Sequence, residues 1–247
     1  MKTTLLIMTL NEINGMKAIM PQIDPDWLDQ ILVCDGNSTD GTIEWAREQG
    51  YQVYVQKEKG IRQAYYEVWP LVEGDVVLTF SPDGNSIPEA IPELLEKMRE
   101  GYDMVIASRY KGDAKSDDDD VITGFGNWLF TKTANVLFGG SYTDVMVILR
   151  AYKKDLPFRL GLDQDAPFDF FEKIFFCFHR ETSWEPLLSA RAVKYGYKVG
   201  ETSASEPPRI GGERKLRVMN WGSVYYAQFW TELFRSKKPS MKRPPDY

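Results

Sequence analysis

The chain has 247 residues, and its 30 Lys and Arg are outnumbered by 36 Asp and Glu, which gives a net charge of −6 at pH 7. Nine basic and three acidic residues lie from Arg209 onward, so this part carries +6 and residues 1–208 carry −12. The acidic body argues against general nucleic-acid binding. The basic C-terminal part is compatible with phosphates or anionic lipid headgroups, and equally with a solvated tail.

Size and apolar patterning predict a soluble globular protein. At this length the chain can bury a sizeable core, as one large domain or two small ones. It contains no run of 18 apolar residues, and Met1–Met8 lacks the small-residue cleavage site of a signal peptide. Cys34 and Cys177 both lie in apolar surroundings, which favours a reducing, cytoplasmic setting.

Strands and helices alternate in the first half of the chain. The predicted strands are 3–9, 30–34, 52–55, 75–80 and 104–107, and the predicted helices are 14–20, 42–49, 61–72 and 88–100. The helix 88–100 has the clearest pattern, with a proline near its start, one apolar face and Gly101 beyond its end. This alternation predicts an α/β fold with a mostly parallel sheet and helices on both faces.

The second half is less regular. We predict a helix over 121–138, a strand over 144–151, a helix over 185–195, a loop over 205–212 and an aromatic-rich helix over 219–234. The four aspartates 117–120 predict an exposed loop rather than a metal site, because four consecutive side chains cannot converge on one ion. The last helix, with the basic residues after it, fits an interfacial membrane helix and also a helix that packs on the domain.

Three of the predicted strands end in polar turns, at residues 11–12, 35–42 and 81–86. The carboxyl ends of parallel strands face one edge of a sheet, where such folds bind ligands. In the third turn, Asp83 and Asn85 offer oxygen ligands for Mg²⁺ or Mn²⁺, with phosphates and water completing the shell. The alternative is a turn with local hydrogen bonds only. Asp35 can accept from a nucleobase or ribose, and no phosphate-cradling glycine loop is present.

These turns resemble the motifs of the family 2 glycosyltransferases, through Thr9–Glu12, Asp35–Thr42 and Ser81–Asp83. The closer resemblance is to the dolichyl- or polyprenyl-phosphate sugar synthases. Further segments in the family's order are 60–65, 108–110, 143–144 with 150, 196–197 with 201, and 209–215. The resemblance covers roughly residues 3–217. It implies a GT-A domain at 1–217, followed by a C-terminal amphipathic helix and basic tail at 218–247.

The same resemblance implies a role for individual residues. Those implied to bind a nucleoside-diphosphate sugar are Thr9, Asn11, Glu12, Asp35, Asn37, Ser38, Ser81, Asp83, Arg209, Arg214 and Lys215. Asp83 and Asn85 would hold Mg²⁺ or Mn²⁺. Ser81 replaces the first acid of the family's Asp-x-Asp motif, which predicts weaker metal binding or a greater dependence on the nucleotide's phosphates. Arg109 and Lys132 match positions that bind an acceptor phosphate, and Lys132 stands where the family often has arginine.

The implied reaction is a sugar transfer that inverts the anomeric carbon. Breaking the sugar–phosphate bond leaves a nucleoside diphosphate, whose growing charge a metal and basic side chains stabilise. A polyprenyl phosphate acceptor is already anionic and needs no strong base. A hydroxyl acceptor needs a carboxylate to take its proton, and Asp144 is the first choice and Glu185 the second. Both also have structural interpretations, Asp144 as a partner of Arg150 or Arg109 and Glu185 as an acid in the first turn of a helix.

Three alternatives remain open at this stage. The first is a soluble glycosyltransferase that uses a glycan hydroxyl in polysaccharide synthesis. The second is a nucleotidyltransferase, although that class normally shows a glycine-rich basic loop after its first strand, and Leu10–Asn14 is not one. The third is an inactive binding domain, which the change at Ser81 makes conceivable. A polyprenyl phosphate acceptor would place the protein at the inner face of the cell membrane.

Overall fold

A computed structural model describes residues 1–163, 183–210 and 218–235. The strands are β1 Thr3–Thr9, β2 Gln30–Asp35, β3 Gln52–Val55, β4 Val76–Phe80, β5 Met104–Ser108, β6 Arg150–Lys153 and β7 Val199–Ser203. The α-helices are α1 Ile13–Ile19, α2 Thr42–Glu48, α3 Ile61–Val68, α4 Ile91–Arg99, α5 Val121–Phe138, α6 Leu156–Arg159, α7 Trp184–Lys194 and α8 Val218–Leu233. None of these helices is long and apolar enough to cross a bilayer.

The strands form one sheet in the order β3-β2-β1-β4-β6-β5-β7. All neighbouring pairs are parallel except those of β6, which runs antiparallel to β4 and β5. β1 lies between β2 and β4. After β1 the chain adds β2 and β3 on one side of it, and it then crosses to the other side to form β4. Such a reversal of strand order opens a crevice at the carboxyl ends of the strands, where the polar turns lie. The predicted α/β fold with a mostly parallel sheet is confirmed.

A hydrophobic core lies on each face of the sheet, because successive side chains of a strand point to opposite faces. Leu6 of β1 belongs to the core beneath α3, α5, α7 and α8, whereas its neighbours Leu5 and Ile7 belong to the core beneath α1, α2 and α4. Both faces of β1 are therefore buried, which explains its nearly unbroken apolar sequence. The layers are helix, sheet, helix.

Several predicted boundaries need correction. The predicted strand 144–151 is wrong over its first six residues, because β6 begins only at Arg150. Residues 144–149 are irregular, and carbonyl groups there accept hydrogen bonds from the Arg150 guanidinium instead of from a strand. β7 was not predicted; it is short and half polar, as the last strand of the sheet can be. The predicted helix 61–72 becomes a 3-10 turn at Trp69–Leu71, where Pro70 removes a backbone donor.

The C-terminal helix α8 packs against the domain with one face. Tyr225 and Phe229 are buried in the core beside α5 and α7. Glu232 pairs with the fully buried Arg191 of α7, at 2.7 Å. The opposite side of α8 exposes Trp230, and Phe234, the residue after the helix, is also exposed. The packing interpretation of this helix therefore holds for its inner face, and Trp230 is exposed on its other side.

Candidate active site

The loop that leaves β1 is joined to the turn after β2 by backbone-to-side-chain hydrogen bonds. Asn11 N donates to Ser38 Oγ at 2.7 Å, and Thr39 N donates back to Asn11 Oδ1 at 2.8 Å. Glu12 N donates to Thr42 Oγ1 at 3.1 Å. Asn11 adopts a left-handed backbone (φ 52°), which asparagine tolerates better than most side chains. Two of the predicted polar turns therefore form one structure.

Asp35 is completely buried at the end of β2 and organises its turn. Its Oδ1 accepts from Ser38 N at 2.7 Å, and its Oδ2 accepts from Ser38 Oγ at 2.6 Å. Asn37, also left-handed (φ 70°), donates its side-chain amide to Gln56 O. The Asp35 carboxylate thus faces Ser38, and one further acceptor position remains on each of its oxygens. The buried Thr9 hydroxyl beside this turn has no hydrogen-bond partner in the described part of the chain.

The turn after β4 lies directly against the start of α1. A Cβ added at Gly15 would overlap Pro82 O and lie 3.1 Å from Asp83 Cα. Glycine is therefore required for this close approach. The loop after β1 thus contacts the turn after β2, and the start of α1, which follows that loop, contacts the turn after β4, so the three predicted polar turns lie at one edge of the sheet.

Asp83 is 7% exposed and is held by residues 205–210, which we call the bridging segment. Its Oδ2 pairs with Arg209 Nη1 at 2.7 Å, and its carbonyl accepts from Ile210 N at 2.7 Å. Asn85 donates its side-chain amide to Pro207 O at 2.9 Å. Ser81 N lies 3.4 Å from Ser86 Oγ within the same turn. The predicted metal ligand therefore holds an arginine that was predicted to bind the donor's diphosphate.

The residues at this turn fit a metal only with help from a substrate. Across the three described ranges, no group of three or more His, Cys, Asp or Glu side chains is arranged to hold a metal ion. Asp83 nevertheless binds a cation, because the Arg209 guanidinium lies on it. Mg²⁺ in proteins is commonly bound by one or two carboxylates, with water and substrate phosphates completing its shell. Asp83 and Asn85 fit this mode of binding, in which the substrate's phosphates supply the remaining ligands.

A second buried ionic cluster lies after β5. Asp144 is fully buried, and its oxygens accept from Arg109 Nε at 2.6 Å and from Arg109 Nη2 at 3.0 Å. The remaining Arg109 nitrogen, Nη1, lies 3.2 Å from Glu206 of the bridging segment. Burial lowers the pKa of Arg109, but the Asp144 and Glu206 carboxylates outweigh it and raise the pKa overall. Burial also raises the pKa of Glu206, an effect that Arg109 opposes.

Backbone and hydroxyl groups support this ionic cluster. Glu201 of β7 accepts from Thr143 N and Thr143 Oγ1, each at 2.8 Å, and Ser108 Oγ lies 2.5 Å from Thr143 Oγ1. Residues 108–109, 143–144 and 201, which were grouped only by order along the chain, therefore lie together in space. Asp144 pairs with Arg109 rather than with Arg150.

Lys132 and Glu185 lie apart from these ion pairs. Lys132 is exposed on α5. Glu185 is buried at the start of α7, where its carboxylate accepts from Tyr65 Oη at 2.5 Å and from the Ser183 hydroxyl. Burial raises the pKa of Glu185, while Tyr65 and Arg150 act in the opposite direction. Neither residue shares a described hydrogen bond or ion pair with Asp83 or Asp144.

The comparison with known proteins decides the family. The sequence model of the family described as "Glycosyl transferase family 2" matches residues 15–156, more than half of the chain. The chain belongs to this family. It is a glycosyltransferase, as the order of its motifs predicted, and the nucleotidyltransferase alternative is set aside.

Two relatives of this glycosyltransferase span most of the chain. Glycosyltransferase AglJ of Haloferax volcanii is 28% identical over 95% of this chain and 71% of that protein. The undecaprenyl-phosphate mannosyltransferase of Micrococcus luteus is 25% identical over 90% of this chain and 94% of that protein. The chain is thus similar to glycosyltransferases well beyond the segment that the family model matches.

Solved structures confirm the fold of the glycosyltransferase. Glucosyl-3-phosphoglycerate synthase from Mycobacterium tuberculosis, in complex with Mn²⁺, UDP-glucose and phosphoglyceric acid, aligns with a TM-score of 0.63. The two chains are 18% identical over 96% of this chain and 81% of that one. At this identity the similarity establishes the GT-A fold, which was predicted.

Sequence reasoning missed one residue of the ionic cluster, and two of the residues that it predicted to bind the donor lie outside the described ranges. Glu206 was seen only as part of a proline-containing loop, although it contacts Arg109. An acidic residue three positions before a predicted phosphate-binding arginine was a usable signal, but nothing local predicts its partner 97 positions away. Arg214 and Lys215, predicted to bind the donor, lie outside the described residues.

Proposed function

We propose that this glycosyltransferase transfers a sugar, with inversion, from a nucleoside-diphosphate sugar to a polyprenyl phosphate, and that it requires Mg²⁺ or Mn²⁺. The proposal depends most on Asp83, a buried carboxylate at the carboxyl end of β4 that already holds a cation. The turn of Asp35, proposed to bind the base, lies across the same edge of the sheet.

On the donor side, Asp83 and Asn85 would hold the metal, which would neutralise charge as the diphosphate leaves. Asn11 and Ser38 set the backbone around the base, and Thr9 and Glu12 lie at the start of the same loop. Arg209 is positioned to exchange its carboxylate partner for a phosphate, because guanidinium binds both groups through similar paired hydrogen bonds.

On the acceptor side, two features support a lipid phosphate. Arg109 contacts the bridging segment, which also holds Asp83, and its Nη1 lies on Glu206, the less buried of its two carboxylate partners. Exposed side chains follow one stripe of α5, the α5 face: Val121, Phe125, Trp128, Lys132 and Val136. Phe125 and Trp128 are 61% and 54% exposed, and Lys132 lies within the same stripe. Aromatic and basic residues on one helix face are typical of contact with a membrane surface. The relative from Micrococcus luteus acts on undecaprenyl phosphate, according to its name.

A hydroxyl acceptor is the second candidate, and the charge of the ionic cluster favours it. Asp144 and Glu206 together place one more negative charge beside Arg109 than that residue neutralises. Such a cluster accepts a neutral hydroxyl more readily than an anionic phosphate. A proton acceptor is then needed, and Asp144 is committed to Arg109 by two hydrogen bonds.

A thermal-shift screen of UDP, GDP, CDP and dTDP with Mn²⁺ tests the donor side. A ligand at about 100 times its Kd stabilises the native state by about 2.7 kcal/mol. We expect one nucleotide to raise the melting temperature only with Mn²⁺, and Asp83→Ala to remove the shift. Asp113→Ala, at an exposed aspartate, is the control. A shift that persists in Asp83→Ala would contradict the metal assignment.

Partition of labelled product tests the acceptor side. With the nucleotide sugar from the screen, we expect label in the organic phase only when polyprenyl phosphate is present, and an inverted anomeric carbon by NMR. Label that stays in water with a glycan acceptor would favour the second candidate.

Vesicle sedimentation tests the membrane contact of the α5 face. We expect binding to vesicles of phosphatidylcholine and phosphatidylglycerol to fall about 10-fold or more in Phe125→Ser/Trp128→Ser, since both apolar side chains leave the stripe. Leu71→Ser, which changes an exposed leucine outside α5, is the control. Equal sedimentation of the two variants would exclude this surface.

A further inference from the structure

Tyr110 follows Arg109 in the chain and connects it to helix α5. The centre of the Tyr110 ring lies 5.4 Å from the guanidinium carbon of Arg109. The Tyr110 hydroxyl donates to the Asp119 carboxylate and accepts from Asn127 Nδ2 of α5 at 3.0 Å. The ring attracts the cation at this distance, and the two hydrogen bonds hold the other end of the side chain. The ring is therefore fixed between Arg109 and α5.

The side chain of Tyr110 offers a ligand an apolar surface rather than a hydrogen bond. The residue is 37% exposed, and its hydroxyl already has two partners. Tyrosine combines an apolar ring with one polar group, and here the polar group is occupied. An exposed ring beside a cation fits a molecule that carries a negative charge and an apolar chain close together.

The helix surface beyond Tyr110 is open at Gly124. Residues three and four positions apart are neighbours on a helix, so Gly124 lies next to both Asn127 and Trp128. Apart from its chain neighbours and the backbone of α5, no atom of the described residues lies within 4 Å of a Cβ added at Gly124. Trp128 stacks on Phe125, with ring centres 5.7 Å apart. The path from Tyr110 to the α5 face therefore crosses a position without a side chain.

Arg109 can bind an anion at the start of this path while it keeps its carboxylate partners. A guanidinium group has five N–H donors. Its described hydrogen bonds to other side chains are two to Asp144 and two to Glu206. At least one N–H donor therefore remains for a phosphate oxygen.

We propose that Tyr110 is a specificity-determining residue that binds the isoprene unit next to the acceptor phosphate. This inference rests on the proposed function. The phosphate binds Arg109, the first isoprene unit covers the Tyr110 ring, and the chain continues over Gly124 to the α5 face. A water-soluble phosphate ester has no apolar chain to cover the ring, so Tyr110 favours a phosphate carried by a polyprenyl chain.

Phosphorus NMR titrations with farnesyl phosphate and ethyl phosphate test this role, in the presence of Mg²⁺ and the nucleotide from the thermal screen. The two probes share the phosphate and differ in the chain, so the ratio of their Kd values measures the preference for the chain. We expect Tyr110→Ala to lower this preference about 5-fold or more, because the apolar contact with the ring is lost. Tyr110→Phe keeps the ring and most of the preference.

Two further variants separate the chain contact from changes in folding. Gly124→Gln covers the open surface of α5 with a polar side chain, and we expect it to lower the preference in the same direction. Leu71→Ala changes an exposed apolar residue outside α5 and keeps the wild-type preference. If Tyr110→Ala weakens both phosphates equally, the ring acts only through Arg109 and the proposal is overturned. A wild-type Kd ratio near 1 overturns it as well.

Failure of the proposed function gives different results. If neither phosphate binds the wild-type protein although a nucleotide raises its melting temperature, the lipid acceptor is wrong, and the proposal for Tyr110 fails with it. If both phosphates bind but no nucleotide does, only the donor assignment is wrong. The Kd ratio measured with Mg²⁺ alone then decides the role of Tyr110.

Discussion

At Asp144, both carboxylate oxygens accept hydrogen bonds from Arg109, and Met146 N and Arg109 N lie within 3.2 Å of them. A general base needs a free oxygen within reach of the proton that it removes. The side chain is therefore placed to hold Arg109 in position. We expect its contribution to be to stability and to the orientation of the guanidinium.

Replacement of Asp144 by Asn tests this role. Removing one partner of a buried pair typically costs about 3–5 kcal/mol, and we expect the lower end because Glu206 still contacts Arg109. Urea unfolding measures the loss, with Asp113→Asn as an exposed control. A variant of unchanged stability that transfers to phosphate but not to hydroxyl acceptors would instead identify Asp144 as a base.

Glu185 predicts a pH dependence of stability. Burial raises its pKa above the ordinary value of 4.5, so the folded state prefers the protonated form. That contribution is fully present below the pKa of the unfolded chain and is lost as pH rises through the folded pKa. We expect Glu185→Gln to gain stability relative to wild type as the pH rises from about 4.5.

Urea unfolding of both proteins from pH 4 to pH 8 measures this gain. Glu44→Gln, at an exposed glutamate of α2, corrects for the effect of losing any surface carboxylate. A difference between wild type and Glu185→Gln that stays flat across the range would contradict the burial effect.

At the level of elements, the position of α1 depends on one glycine. Gly15 lets the helix approach the turn after β4, and any Cβ there would overlap Pro82 O. We expect Gly15→Ala to cost about 1–3 kcal/mol, the usual range for overpacking, and to displace Asp83. Thermal unfolding and the nucleotide-dependent shift measure the two effects.

Gly124 in α5 is the matched control. Apart from the backbone of α5 itself, no atom of the described residues lies within 4 Å of a Cβ added there, so Gly124→Ala gains helix propensity without a clash. The expected change is a stabilisation of up to about 1 kcal/mol. If the two alanine variants behaved alike, close packing of α1 against the β4 turn would not be the cause.

At the level of the whole molecule, α8 is part of the core rather than an appendage. Arg191 and Glu232 are both buried, and Arg191 Nε and Nη2 donate to Glu232 at 2.9 and 2.7 Å. Phe229 packs edge-on against Phe130 and Phe138 of α5. The predicted boundary between residues 217 and 218 marks the end of the sequence motifs, whereas the described side chains of α8 pack into the core of the domain.

Glu232→Gln leaves Arg191 buried without its charge partner, and we expect a loss of about 3–5 kcal/mol in the free energy of unfolding. Arg191→Met/Glu232→Leu removes both charges and should recover most of that loss. Urea unfolding of the two variants measures both values. An equal loss in both would mean that the ion pair itself, not its uncompensated charge, dominates.

Prediction from sequence succeeded where local pattern decides the structure. β1 and β3 match their predicted bounds, and so does α5, which begins at an Asp120 capping box and ends at Gly139. Residues 144–149 were wrongly predicted as strand. Asp144 accepts hydrogen bonds from Arg109, and the Arg150 guanidinium donates to the carbonyl of Val147. A local sequence pattern does not show which distant side chain or carbonyl group such a residue will contact.

The sequence by itself determined the α/β alternation, the family and the polar turns after β1, β2 and β4, since apolar periodicity and turn residues act over a few positions. Only the tertiary structure decided which charges meet. Arg109 lies 35 positions from Asp144 and 97 from Glu206, and burial selects such pairs only after the strands have assembled. The same holds for Arg209 and Asp83. These residues are distant along the chain, and they meet only after the fold has brought residues 205–210 to the turn after β4.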